Sequence, residues 1–204
     1  MITGPKIEIF KLKNLPLNEQ FCFSSEKMAR GEGQGGEENM PGEIEVKMEY
    51  SIHKCPNLLK QELLMVFPGI KNKMEKVLII PTFQQTRSSM MVFDRESDIE
   101  KDEKLGNFYS WGKIFVESIN KFGYWADIVC PASGIPVYNK DSTNTIYSEV
   151  NSCQRLLKYQ TINIGQCNMV SHPKWSTSVY PATAFTTAPI DIVERVLEYM
   201  KKRV

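Results

Sequence analysis

Few residues of this chain have side chains suited to catalysis or metal binding. Only two of its 204 residues are histidines, His53 and His172, and its five cysteines are widely spaced. Cys167 lies five positions before His172, and an imidazole beside a thiol favours the nucleophilic thiolate. Free cysteines are also among the most buried residues of proteins. Cys167 is therefore either a reactive thiol or a small, inert core residue.

Other catalytic and ligand-binding motifs are matched only in part, because the neighbouring residues or elements that their chemistry requires are missing. Gly31, Gly33 and Gly36 have the spacing of a dinucleotide-binding loop, but no predicted strand precedes them and the nearby glutamates would repel a phosphate. Ser133 lacks the glycine two positions earlier that a nucleophile elbow requires. His53 has only Cys55 close by, too few ligands for a metal site. The sequence thus predicts no catalytic residue, no metal site and no enzyme.

Composition narrows the classes of partner and compartment. The 25 Lys and Arg residues balance 24 Asp and Glu residues, so the chain lacks the excess of cations that nucleic-acid binding requires. No apolar run approaches the roughly 18 residues of a transmembrane helix. Residues 1–6 have no apolar signal core, and an odd number of scattered cysteines disfavours a secreted disulfide framework. We expect no nucleic-acid partner, no transmembrane segment and a reducing compartment.

Hydrophobic periodicity predicts the elements that would position these residues. Apolar and charged residues alternate from Glu43 to Tyr50, which predicts a strand with its charged face toward water. A long amphipathic helix follows later, capped by Ser97 with Glu100 and ended by Gly123. Other helices are expected near 56–67 and 191–202, and other strands near 77–80, 90–93, 124–129, 157–164 and 175–186. Because several strand pairs lack an intervening helix, we expect an α+β domain with a mixed, largely antiparallel sheet flanked by helices.

The N-terminal part of the chain has a different composition. Residues 1–23 carry two short apolar patches separated by a proline-containing break, which predicts an extended arm. Residues 24–42 are rich in Gly, Glu and Ser without apolar periodicity, which predicts a linker. The folded domain is expected to occupy residues 43–204.

Several motifs together carry a family resemblance. They are the run Gly-Tyr-Trp-Ala-Asp at 123–127, Pro-Ala-Ser-Gly at 131–134, and the segment that places Gly165, Cys167, His172, Trp175 and Thr177 in order. With Cys55-Pro56 upstream and Phe-Thr-Thr-Ala at 185–188, the chain resembles the methylmalonic aciduria and homocystinuria type D family over roughly residues 43–190.

The resemblance implies a fold and a function. It implies a nitroreductase-like domain without bound flavin that acts as a non-catalytic adaptor in cobalamin trafficking, docking on the cobalamin-processing type C protein. No cofactor would be bound tightly, and cobalamin would be met only on the partner. Cys167 would then offer a soft thiolate to cobalt. The candidate interaction residues are Tyr124, Trp125, His172 and Trp175, and the implied location is the mitochondrion, with the cytoplasm as a second location.

One departure from the family pattern supports a second hypothesis. The family shows two adjacent cysteines after the glycine equivalent to Gly165, whereas this chain has Gln166 followed by Cys167. An amide is a much poorer ligand for cobalt than a thiolate. The alternative is a non-catalytic accessory subunit of a large mitochondrial assembly, such as a respiratory-chain complex, that reuses this fold. Its partners would be the other subunits of that complex.

Overall fold

A computed structural model describes residues 3–13, 43–139, 145–165 and 167–202. The predicted linker, residues 24–42, and the second half of the predicted arm lie outside the described residues. The strands are β1 (Thr3–Lys13), β2 (Glu43–Lys54), β3 (Leu78–Gln85), β4 (Ala126–Ile128), β5 (Gln160–Ile164), β6 (Cys167–Ser171) and β7 (Val179–Thr186). The helices are α1 (Asn57–Val66), a 3-10 helix (Pro68–Lys76), α2 (Arg95–Lys121), α3 (Glu149–Ser152), a π-helical turn (Cys153–Leu157) and α4 (Ile190–Lys202).

A five-stranded sheet organises the domain. Its strand order is β1-β2-β3-β7-β4, and each neighbouring pair is antiparallel. β5 and β6 form a separate antiparallel hairpin. The predicted α+β class with a largely antiparallel sheet flanked by helices is therefore confirmed.

Helices cover both faces of this sheet because successive strand residues point to opposite sides. On one face, α2 and α4 pack over a core that includes Phe10, Met48, Ile80, Trp111 and Leu197. On the other face, α1 and the 3-10 helix pack over a second core that contains Leu63, Phe67, Ile79 and Phe185. Ile79 and Ile80 are both fully buried but belong to different cores, so β3 is a central strand buried on both faces.

The described part of the predicted arm, residues 3–13, is a β-strand. β1 pairs with β2 from Thr3 opposite Ile52 to Lys13 opposite Glu43. Phe10 is fully buried and lies edge-on to the Trp111 ring, with 6.1 Å between ring centroids. Residues 3–13 therefore form an edge strand of the main sheet.

The N-cap predicted for α2, Ser97, is wrong, because the helix is capped three residues earlier. Asp94 is the N-cap: its Oδ1 accepts the Ser97 amide hydrogen at 2.8 Å, and the Asp94 amide donates to the Ser97 hydroxyl at 3.1 Å. A carboxylate at the N-cap suits the positive end of the helix. Glu100 instead accepts hydrogen bonds from the backbone amides of Arg87 and Ser88. The predicted helix end is correct, since Gly123 has the left-handed φ of +79° that helix termination favours.

Two strand predictions are also corrected. Residues 90–93 form an exposed turn and loop instead of a strand, because the Met90 amide donates to the Thr177 carbonyl and the Val92 amide to the Ser89 carbonyl. The last strand begins at Val179 and not at Trp175, since residues 172–176 close a tight turn first.

Candidate functional site

The hairpin of β5 and β6 carries the cysteine singled out from the sequence. Cys167 is the first residue of β6, and its backbone is paired with Ile164. Between them, Gly165 has a φ of +79°, a conformation that glycine adopts without steric cost. Gln166 lies outside the described residues. Glycine at this position thus closes a tight turn that places Cys167 at the tip of the hairpin.

A buried polar cluster follows directly after β6. His172 Nε2 lies 3.1 Å from Glu49 Oε1, and both side chains are almost fully buried. The Lys174 amide donates to His172 Nδ1 at 3.2 Å, and Lys174 Nζ lies 2.7 Å from Glu49 Oε2. Since Nδ1 accepts a hydrogen bond, Nε2 must carry the proton and donate it to Glu49. The Glu49 carboxylate therefore accepts hydrogen bonds from two side chains, His172 and Lys174.

His172 is neutral in this setting. Burial lowers its pKa below the usual 6.5, and the opposing attraction of Glu49 does not reverse that shift. Both ring nitrogens are also engaged, one as donor and one as acceptor. His172 therefore has no free lone pair with which to deprotonate Cys167, and this arrangement does not support a thiolate–base pair between them.

Aromatic rings hold the imidazole in place. The Trp175 ring stacks on His172 with a centroid distance of 4.5 Å and an interplanar angle of 17°. Tyr159 meets His172 edge-on at 5.2 Å, and Phe83 lies at 5.0 Å. The His172 and Ser176 backbones exchange two hydrogen bonds of 2.8 Å, and Ser176 has a left-handed φ of +51°. The turn at 172–178 is thus a rigid platform beside the hairpin.

The outward charged face predicted for β2 is wrong at Glu49. Glu45 and Lys47 are exposed, but Glu49 is only 1% exposed, because the 172–178 turn covers that part of the strand and supplies its donors. Neither Glu49 nor Lys174 was recognised from the sequence. Alternation identifies the face of a strand, but it does not reveal a distant turn that packs on it.

The remaining two candidate interaction residues lie elsewhere. Trp125 packs edge-on against Phe67 at 5.2 Å, and its carbonyl accepts hydrogen bonds at the far end of β7, from Thr186 and Thr187. Tyr124 beside it is 36% exposed. Trp175, in contrast, precedes the start of β7, and the eight residues of that strand separate the two places by about 24 Å. The structure brings His172 and Trp175 together, and it keeps Tyr124 and Trp125 apart from them.

The other motif residues have structural roles. Asp127 is fully buried and accepts backbone hydrogen bonds from Ile128, Tyr138 and Asn139 at 2.8 to 3.0 Å. Burial raises its pKa to about 6, although these bonds oppose the shift. At Gly134, with a φ of +72°, an added Cβ would lie 2.7 Å from a backbone carbonyl oxygen. These residues shape the loops after β4 and take no part in the polar cluster.

Among the described residues, no group of three or more His, Cys, Asp or Glu side chains could hold a metal ion. In the same residues, no helix combines the length and the apolar character needed to cross a membrane. Fold and site together define an antiparallel α+β domain in which a cysteine-tipped hairpin lies beside a rigid aromatic turn.

Comparison with known proteins identifies the family. The model of the family described as methylmalonic aciduria and homocystinuria type D protein matches residues 17–197. The chain is 31% identical to the cobalamin trafficking protein CblD of Mus musculus over 145 residues, which cover 71% of this chain and 48% of that protein. The Homo sapiens protein of the same name is 30% identical over 145 residues, which again cover 71% of this chain and 48% of that protein. The chain belongs to the methylmalonic aciduria and homocystinuria type D protein family, and it spans about half the length of these curated relatives.

Proposed function

We propose that this protein is a non-catalytic adaptor in cobalamin trafficking that docks on a cobalamin-processing partner, the type C protein. Support comes from the family match, which extends over residues 17–197, and from relatives that are named cobalamin trafficking proteins. We further propose that the sheet and its helices form the nitroreductase-like fold without flavin. Purified protein should then show no flavin absorption.

One observation carries the docking proposal: an exposed apolar loop shares a cavity with the cysteine-tipped hairpin. In the loop, Met91 and Val92 are over one-third exposed and Phe93 is 76% exposed. Met90 at its base lines a cavity of about 200 Å³ together with Asn168, Met169 and Val170 of β6. We call residues 89–93 and the hairpin residues 160–165 and 167–171 the docking face. Contiguous exposed apolar side chains beside polar ones are typical of protein interaction sites.

The rigidity of the neighbouring turn supports this assignment. An interface held in place before binding loses less conformational entropy on association. The stacked His172 and Trp175 rings and the bond between Glu49 and Lys174 fix the backbone that follows β6. Cys167 at the other end of β6 is the candidate thiolate for cobalt held on the partner. No cofactor needs to be bound by this chain alone.

The test is a titration of cobalamin-loaded type C partner with this protein, followed by the visible spectrum of the corrin. We expect a spectral change that Cys167→Ser removes and Gln166→Cys preserves or enlarges. Cys55→Ser is the matched control: Cys55 is half-buried, lies away from the hairpin, and has a pKa raised by burial to about 11. Its spectrum should equal that of the wild type.

The outcomes separate docking from ligation. If Cys167→Ser still binds the partner and gives the wild-type spectrum, the thiolate role is wrong but docking stands. If the wild type does not bind the loaded partner, the adaptor proposal is refuted. If the wild type binds and Phe93→Ser binds equally well, the docking face is wrong. Phe93 is suitable for this test because its exposure makes a loss of folding stability on substitution small.

A second candidate function is favoured by Gln166, which stands where the family resemblance leads us to expect a cysteine. In this proposal the protein is an accessory subunit of a large mitochondrial assembly such as a respiratory-chain complex, and the same docking face contacts other subunits. We propose that the protein is mitochondrial, with the cytoplasm as a second location. Native-gel migration of gently extracted protein distinguishes them: an adaptor migrates at modest mass with its partner, and a subunit migrates with a very large complex.

A further inference from the structure

The opposite end of the main sheet has a groove that the proposed function does not use. It has a volume of about 910 Å³ and lies where β1 begins, β2 ends and α4 begins. Leu78, the first residue of β3, lines it, whereas Gln84 and Gln85 at the other end of β3 lie near Trp175. Seven residue steps along a strand separate these ends by about 24 Å. The groove is therefore distinct from the docking face.

The floor of the groove is apolar. Ile52, Val77, Leu78 and Ala188 line it, and each is largely buried by its own neighbours. The ring of Tyr124, 36% exposed, stands at the rim. A volume of about 300 to 1,000 Å³ with mostly apolar walls and a few polar groups is typical of sites for small organic ligands.

Three elements bring lysines to the rim: Lys6 from β1, Lys54 from β2 and Lys76 from the 3-10 helix. The two carboxylates of the groove are already engaged. Glu75 lies 2.6 Å from Lys60 Nζ, outside the groove, and Glu194 lies 3.8 Å from Lys6 Nζ. In the described parts of the chain, neither Lys54 nor Lys76 has a carboxylate partner.

The start of α4 adds to this positive potential. Thr187, Ala188, Pro189 and Ile190 line the groove where this 13-residue helix begins, and a helix N-terminus carries a partial positive charge. Asp191 in the first turn offsets part of it. The charges around the groove still favour an anion. The ammonium groups of Lys54 and Lys76 have no carboxylate partner among the described residues, and they lie above an apolar floor.

We propose that this groove, which we call the lysine groove, binds a small organic anion: a carboxylate or phosphate ester on an apolar, preferably aromatic, body. The body would pack over Leu78 at the floor and against the Tyr124 ring at the rim. The anionic group would lie between Lys54 and Lys76. Lysine recognises an anion as a point charge without a fixed geometry, so carboxylates and phosphates are both suitable.

The test is calorimetric titration of the full chain with four probes: 1-naphthyl phosphate, 1-naphthoate, the neutral 1-naphthol and inorganic phosphate. At least one naphthyl anion should bind tenfold or more tightly than naphthol and inorganic phosphate. The double variant Lys54→Glu/Lys76→Glu should weaken that binding at least tenfold, and added salt should weaken it in the wild type. Lys73→Glu is the matched control, since Lys73 is exposed on the same 3-10 helix but does not line the groove.

Each outcome is decisive. Binding of the naphthyl phosphate alone narrows the ligand to phosphate esters, and binding of the naphthoate alone narrows it to carboxylates. The proposal is overturned if 1-naphthol binds as tightly as the naphthyl anions, or if inorganic phosphate binds as tightly as they do. It is likewise overturned if neither naphthyl anion binds. The proposal is also overturned if Lys73→Glu weakens binding as much as the double variant Lys54→Glu/Lys76→Glu does. The titration needs no cobalamin-loaded partner, so it is independent of the adaptor test.

Discussion

Replacing Glu149 by glutamine should change how the stability of this protein depends on pH. The Glu149 carboxyl lies at the start of α3 and is buried. Its Oε2 accepts the Thr183 hydroxyl at 2.5 Å, while Oε1 has no hydrogen-bond partner among the described residues. Burial raises its pKa from 4.5 to about 7, against the opposing effect of the Thr183 bonds. The folded state therefore holds this proton more tightly than the unfolded chain.

The sign and size of the effect follow from that difference. The free energy of unfolding falls as the pH rises through the interval between 4.5 and about 7, because the folded state must release a proton that the unfolded chain has already lost. Between pH 5 and pH 8 this group should remove about 2–3 kcal/mol of stability. Glutamine has nearly the same shape, can still accept the Thr183 hydrogen bond, and does not titrate.

The assay is urea denaturation, followed by circular dichroism, at a series of pH values between about 5 and 8. The wild type should lose about 2–3 kcal/mol more than Glu149→Gln across this range. Glu117→Gln, at an exposed position of α2, is the matched control and should follow the wild type. Parallel curves for the wild type and Glu149→Gln would refute the reasoning, because the carboxyl would then titrate alike in the folded and unfolded states.

Three further predictions concern buried polar groups and one glycine. Asp127→Ala leaves three backbone amides without their acceptor and should lower the free energy of unfolding by about 3–5 kcal/mol. Asp127→Asn keeps one acceptor oxygen and should lower it by about 1–2 kcal/mol. Equal losses for the two variants in urea denaturation would contradict this account. Glu49→Ala should cost about 1–3 kcal/mol, since it leaves the neutral, buried His172 donor unpaired. Lys174→Met should cost more, about 3 kcal/mol, because it leaves the buried Glu49 carboxylate without its cation. Thermal denaturation of both variants tests this order. Gly134→Ala should cost about 2 kcal/mol or more, from its positive φ and the approach to a backbone oxygen; an unchanged melting temperature would show that the loop relaxes freely.

Family membership and most of the elements were predictable from the sequence. Apolar residues at helical spacing predicted α2 and α4, and Gly123 marked the end of α2 correctly. These features depend on residues close together in the chain, where periodicity and turn preferences act directly. The Gly-Tyr-Trp-Ala-Asp run indicated the family, and the match over residues 17–197 confirmed it.

The candidate site was only partly predictable. Sequence motifs indicated Cys167, His172 and Trp175, but not the carboxylate that orients His172. Glu49 lies 123 positions from His172 along the chain, and its strand pattern alone suggested an exposed side chain. Loop residues 90–93 looked like a strand because apolar runs of that length fit several conformations.

The sequence by itself therefore determined the class of fold and the family, and a motif indicated Cys167 and His172 as candidates, since each depends on local order or on a motif. Only the tertiary structure decided which charges are buried and which are free. It buried Glu49 beneath a distant turn, engaged both nitrogens of His172, and assembled Lys6, Lys54 and Lys76 from three separate elements around one groove. The physical reason is that burial and charge pairing depend on contacts between residues far apart in the chain, which a local pattern does not encode.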